Sequence, residues 1–276
     1  ALDLGITFID TADMYGFGRS EEFLSTALEG KRQQFVLATK CGMPMSSSPY
    51  ERGLSRRWIT RALDNSLKRL KTDYVDLFQV HQPDDETPIE ETLRALDDAV
   101  RQGKTRYIGC SNYKAWQLAH ALGVSKVNGL TPWISAQNRW NIIDGLDDPH
   151  LLPACEELGV GIIPYTPLAS GILTGKYRIG EAPAAGTRAG DLPNVRQRLT
   201  DAKLEAVERL RTWADARGHT VGELAVSWLL AHPEVSTVIV GARTADQLTE
   251  TVKSAEWTLT ADERAEVEAL AKGSGA

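Results

Sequence analysis

A rhythm constrains this chain more than any single residue does. Short apolar runs rich in β-branched and aromatic residues occur at residues 6–9, 35–39, 74–80, 107–110, 134–136, 161–164 and 236–240, and stretches of helical period separate them. Parallel strands can be joined only by long crossovers, usually helices, and these intervals supply them. Ser20 can cap a helix through Phe23, Leu24 and Leu28 to Gly30, and Ser55 one in which Ile59, Leu63, Leu67 and Leu70 share a face. Thr87, Pro88 and Glu90 read as a capping box ahead of Leu93, Leu96 and Val100. Thr220 with Glu223, Thr244 with Gln247 and Thr260 with Glu263 open three later helices by the same rule.

Seven such units predict an α/β protein with one parallel sheet in a single domain over residues 1–276, and an eighth would close a (β/α)₈ TIM barrel. A doubly wound open sheet would carry GxGxxG after its first strand, and no such motif occurs. The eighth strand is expected upstream, because the chain opens without methionine on Ala1-Leu2-Asp3-Leu4-Gly5, which reads as the tail of a helix. Residues 170–199, rich in Gly, Pro and Ala, predict a long connection of the kind that forms lids and ligand loops.

Composition narrows the function classes. A chain with 42% hydrophobic and 25% charged residues can bury a core, and it has no apolar run able to span a bilayer. A net charge of -6 argues against nucleic acid as a general partner, so any cationic site must be local. Cys41, Cys110 and Cys155 lack CxxC spacing and are too few for a disulfide framework, which fits a reducing, cytoplasmic setting.

The runs end in residues of different chemical kinds: Asp10, Lys40, His81, Asn112, Gln137, Tyr165 and Gly241. In a (β/α)₈ barrel such ends converge on one face, where active sites are built. Taken singly, each has a bland reading as a cap, a solvated lysine or a core histidine. Together with Tyr15, five positions beyond Asp10, they suggest proton transfer. A phenol of pKa about 10 donates a proton near neutrality only beside a positive charge, and Lys40 can provide one with Asp10 as its counter-ion. A neutral His81 can orient a substrate oxygen. No serine sits beside a base in a triad pattern, and the Cys and His positions lack metal-ligand spacing.

A second reactant is suggested by the late loops. Ser170-Gly171-Ile172-Leu173-Thr174-Gly175-Lys176 and Gly241-Ala242-Arg243 combine glycine amides with cationic side chains, a pattern suited to phosphate. Asn112 and Gln137 could hold a carboxamide, and Tyr165 could stack on a flat ring. These requirements describe a nicotinamide dinucleotide. Met14, Met43, Met45 and Trp140 hint at an apolar substrate pocket.

With these residues placed, the chain resembles the aldo-keto reductases. The resemblance rests on Gly5-Ile6-Thr7-Phe8-Ile9-Asp10-Thr11-Ala12 with Tyr15-Gly16, on His81 after its strand and on Ile108-Gly109-Cys110-Ser111-Asn112-Tyr113. Pro164-Tyr165-Thr166-Pro167-Leu168 and Gly241-Ala242-Arg243 with Gln247 and Glu250 extend it. It is closest in pattern to the bacterial reductases related to potassium-channel β-subunits. It implies NADPH as cofactor and a tetrad of Asp10, Tyr15, Lys40 and His81, with Tyr15 as general acid in reducing an aldehyde or ketone. Ser111, Asn112 and Gln137 would hold the carboxamide, and Tyr165 would stack on the nicotinamide. Leu168, Ser170, Leu173, Lys176 and Arg188 would line the phosphates, Arg243, Gln247 and Glu250 would take the adenosine end, and Thr166, Gly171 and Gly241 would also bind the cofactor. Arg243 suits a 2′-phosphate. Thr251 departs from the family's usual asparagine, and the N-terminal hairpin and first barrel strand are expected to be missing. Two alternatives stand beside reduction: a cofactor-binding regulatory or redox-sensing protein similar to those β-subunits, and an inactive fragment.

Overall fold

The computed structural model describes residues 1–273. In chain order it runs β1 (Phe8–Asp10), α1 (Arg19–Ala27), β2 (Val36–Cys41), α2 (Arg56–Leu70), β3 (Val75–Val80), α3 (Ile89–Arg101), β4 (Thr105–Ser111) and α4 (Ala115–Asn128). There follow β5 (Ser135–Asn141), β6 (Gly145–Leu146), α5 (Leu151–Leu158) and β7 (Gly161–Tyr165). The remainder holds two short helices, α6 (Arg188–Asp191) and α7 (Pro193–Arg196), and then α8 (Asp201–Asp215), α9 (Val221–Leu230), α10 (Ala245–Val252) and α11 (Ala261–Lys272). No helix among the described residues is long and apolar enough to cross a membrane. The chain divides into two compact units, one of Ala1–Asn138 with His150–Ile162, the other of Arg139–Pro149 with the chain from Ile163 onward.

The first unit carries the expected alternation. Its strands pair in parallel in the order β1-β2-β3-β4-β5, which places Asp10 beside Ala38, Lys40 beside Gln79, Val80 beside Cys110, and Ser111 beside Gln137. The central strands are buried nearly end to end, as expected of a parallel sheet covered on both faces. Leu37, Leu77, Phe78 and Ile108 fill the core with Ile59, Leu63 and Leu70 of α2 and Leu93 and Leu96 of α3. One close approach demands glycine: a Cβ on Gly109 would fall on Ser135 Oγ and within 2.9 Å of the Ser135 carbonyl oxygen.

Ser55 caps α2 as expected, its hydroxyl accepting from the Trp58 amide. Two other expected caps are corrected. Ser20 lies inside α1, whose N-cap is Gly18 in the left-handed region, and the Ser20 hydroxyl bonds Thr11 Oγ1 instead at 2.8 Å. Pro88 is the N-cap of α3, and Thr87 donates to Asp84 Oδ2 at 2.7 Å. In both places a hydroxyl found a partner outside the helix, and that competition is invisible to a spacing rule.

In the second unit, Thr220 and Thr260 form complete capping boxes with Glu223 and Glu263, and Thr244 caps α10. The end of β5 folds back on β6 as a short antiparallel hairpin that the sequence reading omitted. In its turn the largely buried Asp144 carboxylate accepts from Arg198 at 2.6 Å and Lys203 at 2.7 Å, pinning the end of the long connection. Trp140 is a packing residue, edge-on to Trp228 and His232 at 5.4 and 4.6 Å. The run 236–240 is not a strand. It makes one parallel bridge, Tyr165 to Ile239, with the Ile239 amide donating to Pro164 O at 2.8 Å. None of its residues is buried, so no apolar face fixes a register along it.

Candidate active site

β1 is short, but its pairing with β2 continues past its end. The Thr11 amide donates to Ala38 O and the Asp13 amide to Lys40 O, each at 3.0 Å. The chain then turns sharply, with the Tyr15 amide donating to Ala12 O and Gly16, Phe17 and Gly18 all at positive φ. Glycine reaches that region freely and Phe17 does not, so this turn carries strain beside the candidate site. It leaves Tyr15 39% exposed, beside the partly buried Asp10 and the fully buried Lys40.

Lys40, on β2, is fully buried, and its ammonium donates to Asp10 Oδ2 and to the Thr11 carbonyl at 3.1 Å. The same ammonium lies 5.2 Å from the centre of the Tyr15 ring, and the His81 ring meets that tyrosine edge-on at 5.6 Å. Asp10, Tyr15, Lys40 and His81 are therefore one cluster. Burial pulls the lysine below its ordinary pKa, and Asp10 is the main force opposing the fall. Burial, and then Lys40, push His81 down to about 4, so its imidazole is neutral near pH 7.

Two neutral amides complete the shell of Asp10. Gln79 and Gln137 both donate to its Oδ1, at 3.2 and 2.9 Å. Gln137 was expected to hold a ligand carboxamide, and one of its amide hydrogens is instead committed to Asp10. Gln79 was not singled out from the sequence. The available signal was a fully buried-strand position occupied by an amide, two residues before His81 and so on the same face. Asp13 was also passed over, and it is 1% exposed. At the next strand end Ser111 is buried, and Asn112 takes a left-handed φ of 63°. The Asn112 side chain donates to His81 O at 2.9 Å and its backbone amide to Gln137 O at 3.0 Å, tying the ends of β3 and β4 to β5.

The remaining candidates lie in the second unit. Tyr165 ends β7, and burial raises its phenol pKa. Beyond it, Thr166, Ala169, Ser170, Gly171 and Gly175 all have positive φ, an unusual succession in one loop. Leu168 is half-buried and Leu173 fully buried. The Lys176 ammonium lies 3.6 Å from the point that a Cβ on Gly171 would occupy. Arg188 opens α6 just after its cap, Thr187. Gly241 and Arg243 are exposed, and the Arg243 amide donates to Gln247 Oε1 at 2.9 Å. Glu250 lies on α10 with Gln247, 3.8 Å from Lys253. Of the expected apolar pocket, Met14, Met43 and Met45 are partly exposed in the first unit, while Trp140 belongs to the packing of the second.

The model of the aldo/keto reductase family matches residues 1–272. A versiconal hemiacetal acetate reductase of Aspergillus parasiticus is 36% identical, over 95% of this chain and 82% of its own length. An L-glyceraldehyde 3-phosphate reductase of Escherichia coli (strain K12) is 38% identical over 92% of this chain and 76% of its own. A probable voltage-gated potassium channel subunit beta of Arabidopsis thaliana is 37% identical over 92% and 79%. With matches of that extent, and with parallel strands that gather an aspartate, a tyrosine, a lysine and a histidine, the chain belongs to the aldo/keto reductase family.

Proposed function

We propose that this protein reduces an aldehyde or ketone to an alcohol, with NADPH as the reductant and Tyr15 as the proton donor. The observation that carries the reading is the buried Lys40 ammonium, bonded to Asp10 and 5.2 Å from the Tyr15 ring. When bound, NADPH supplies hydride to the carbonyl carbon. Tyr15 gives its hydroxyl proton to the carbonyl oxygen, and the positive field of Lys40 stabilises the phenolate left behind. Asp10 fixes the lysine in place. His81 Nδ1 is buried without a hydrogen-bond partner among the described residues, which favours placing the imidazole proton on Nε2, where it can donate to the substrate oxygen.

The residues present fit the cofactor. Ser111, Asn112 and Gln137 offer polar groups for the carboxamide, and Tyr165 offers a ring for stacking. Backbone amides in tight turns can form anion-binding nests, and the loop holding Thr166, Leu168, Ser170, Gly171 and Leu173, with Thr166, Ala169, Ser170 and Gly171 at positive φ, offers turned amides of that kind. Lys176 and Arg188 add charge for the phosphates, and Gly241, Arg243, Gln247 and Glu250 take the adenosine end. Residues 1–276 would form a single domain of (β/α)₈ type, working in the cytoplasm.

Tyr15→Phe is the test. It should abolish turnover of a panel of aldehydes and ketones while NADPH still quenches or shifts protein fluorescence; a variant as active as the parent refutes the role of Tyr15. A regulatory, cofactor-sensing role is the second reading, favoured by the similarity to potassium channel subunits beta in a plant and in Schizosaccharomyces pombe. It predicts tight NADPH binding with negligible steady oxidation by every carbonyl tried.

A further inference from the structure

Behind Lys40 lies a carboxylate that the proposed chemistry does not use. Asp13 is 1% exposed, and no side chain among the described residues hydrogen-bonds either of its oxygens, which feel only the adjacent Met14 amide as a donor. Its amide is bonded to the carbonyl of Lys40 at 3.0 Å, which fixes it against β2. The groups facing it come from three elements: Lys40 and the neutral thiol of Cys41 on β2, Glu21 on α1 and Arg69 on α2. Glu21 is fully buried and accepts from Thr39 Oγ1 at 2.6 Å and Arg69 Nε at 2.7 Å. The arginine is thereby committed to Glu21, and its Cδ lies 2.6 Å from where a Cβ on Gly18 would stand, packed against the turn that follows Asp13. Asp13 is thus buried beside a second carboxylate that holds the Arg69 guanidinium.

We propose that Asp13 is a positioning residue for the Lys40 and Tyr15 pair. While protonated it leaves the field of the Lys40 ammonium on the Tyr15 hydroxyl, and its ionisation draws that field away and weakens proton donation. A second anion at Lys40 would make the phenol a poorer acid, so the sign is fixed by Coulomb's law. Burial, and then Glu21, push the Asp13 carboxyl up to about 7, against the opposing pull of the Met14 amide, Arg69 and Lys40, and this puts the switch within the working pH range. The inference rests on the reductase reading.

Asp13→Asn tests it by two readouts. The first is kcat for carbonyl reduction against pH, each enzyme scaled to its own acid-side plateau: the parent should fall as pH passes about 7, and Asp13→Asn should hold its plateau at least about one pH unit further. The second needs no turnover. The ultraviolet phenolate titration of Tyr15, isolated by subtracting Tyr15→Phe, should have its midpoint moved about one unit lower in pH by Asp13→Asn, a tenfold rise in the proton concentration at half-titration. Superimposable profiles and an unmoved phenolate midpoint overturn the inference. A protein inert toward every carbonyl whose phenolate midpoint still moves retains the inference and refutes the reductase reading. Should Asp13→Asn fail to fold, carbon-13 titration of the aspartate carboxyls in the parent decides: one carboxyl titrating in step with Tyr15's acidity supports the role, and a full set already ionised well below pH 7 overturns it.

Discussion

Asp13 also makes a prediction about stability, independent of any reaction. Its carboxyl has a folded pKa of about 7 against an ordinary 3.8. Below 3.8 both states hold the proton and nothing is lost. As pH rises above that value the unfolded chain releases the proton and the folded protein does not, so folding weakens until the folded pKa is passed. Each pH unit of that window is worth about 1.4 kcal/mol, which puts the full penalty at about 4 kcal/mol and the part falling between about pH 5 and about pH 8.5 at about 3 kcal/mol. Asp13→Asn removes the ionisable group while keeping its shape. Its buried amide could itself lower stability, by about 1–3 kcal/mol at every pH if left unpaired, so the absolute stability of the variant decides nothing. The difference between the two proteins does. Asp84, Asp97 and Asp144 have lowered pKa values and stabilise the fold toward higher pH, but they are common to both proteins and cancel. Urea unfolding of parent and variant at the two pH values should show the variant gaining about 3 kcal/mol on the parent as pH rises. A constant difference would mean that Asp13 is already ionised at pH 5 and that its burial beside Glu21 does not raise its pKa in solution.

Three further predictions concern the cluster. Lys40→Met and Asp10→Asn should each destabilise the protein by about 3–5 kcal/mol, since each strands one member of a buried ion pair, and the double variant should cost well under the sum in a denaturant double-mutant cycle; additivity would show that the pair is not coupled. His81→Ala should lower kcat/KM for carbonyl reduction about 100-fold or more, and the parent's imidazole, followed by NMR, should stay neutral down to about pH 5 because its folded pKa is depressed to about 4. Arg243→Ala should weaken NADPH binding about tenfold or more and NADH binding much less, measured by fluorescence titration, because only the former offers a 2′-phosphate to the guanidinium.

What the sequence made legible follows from what each signal depends on. The parallel strands were readable because period and burial are local: Leu37, Leu77, Phe78 and Ile108 are apolar where a covered strand must be. The polar strand ends were readable because a polar residue at the end of an apolar run has few reasons to be there, and Asp10, Lys40 and His81 do gather round Tyr15. Partners were not readable. Nothing local says that Ser20 will bond Thr11 rather than cap α1, or that the Gln137 amide will reach back across 127 positions to Asp10. The run 236–240 failed for a related reason: its composition favours a strand, but a strand exists only through its neighbours, and among the described residues this one pairs only at Ile239, with the end of β7. Asp13 was missed because an acid in a turn is ordinary until its burial is known.

The shell of Asp10 bears on how the cluster divides its charge. An aspartate bonded only to Lys40 would spend its whole field on the ammonium, and an ion pair so complete would offer Tyr15 little. Here Oδ2 takes the lysine while Oδ1 is held by the amides of Gln79 and Gln137, so part of the carboxylate's charge is answered by dipoles that carry no net charge. The lysine meanwhile gives another of its donors to the neutral carbonyl of Thr11. The consequence is a cation fixed in position and only partly neutralised, with a phenol ring 5.2 Å from it. That balance also gives the charge state of Asp13 its importance. A second full negative charge beside Lys40 would undo through space what the two glutamine amides achieve through hydrogen bonds, and the chain keeps that charge in check by burying Asp13 beside Glu21 and giving Arg69 to Glu21 alone of the two.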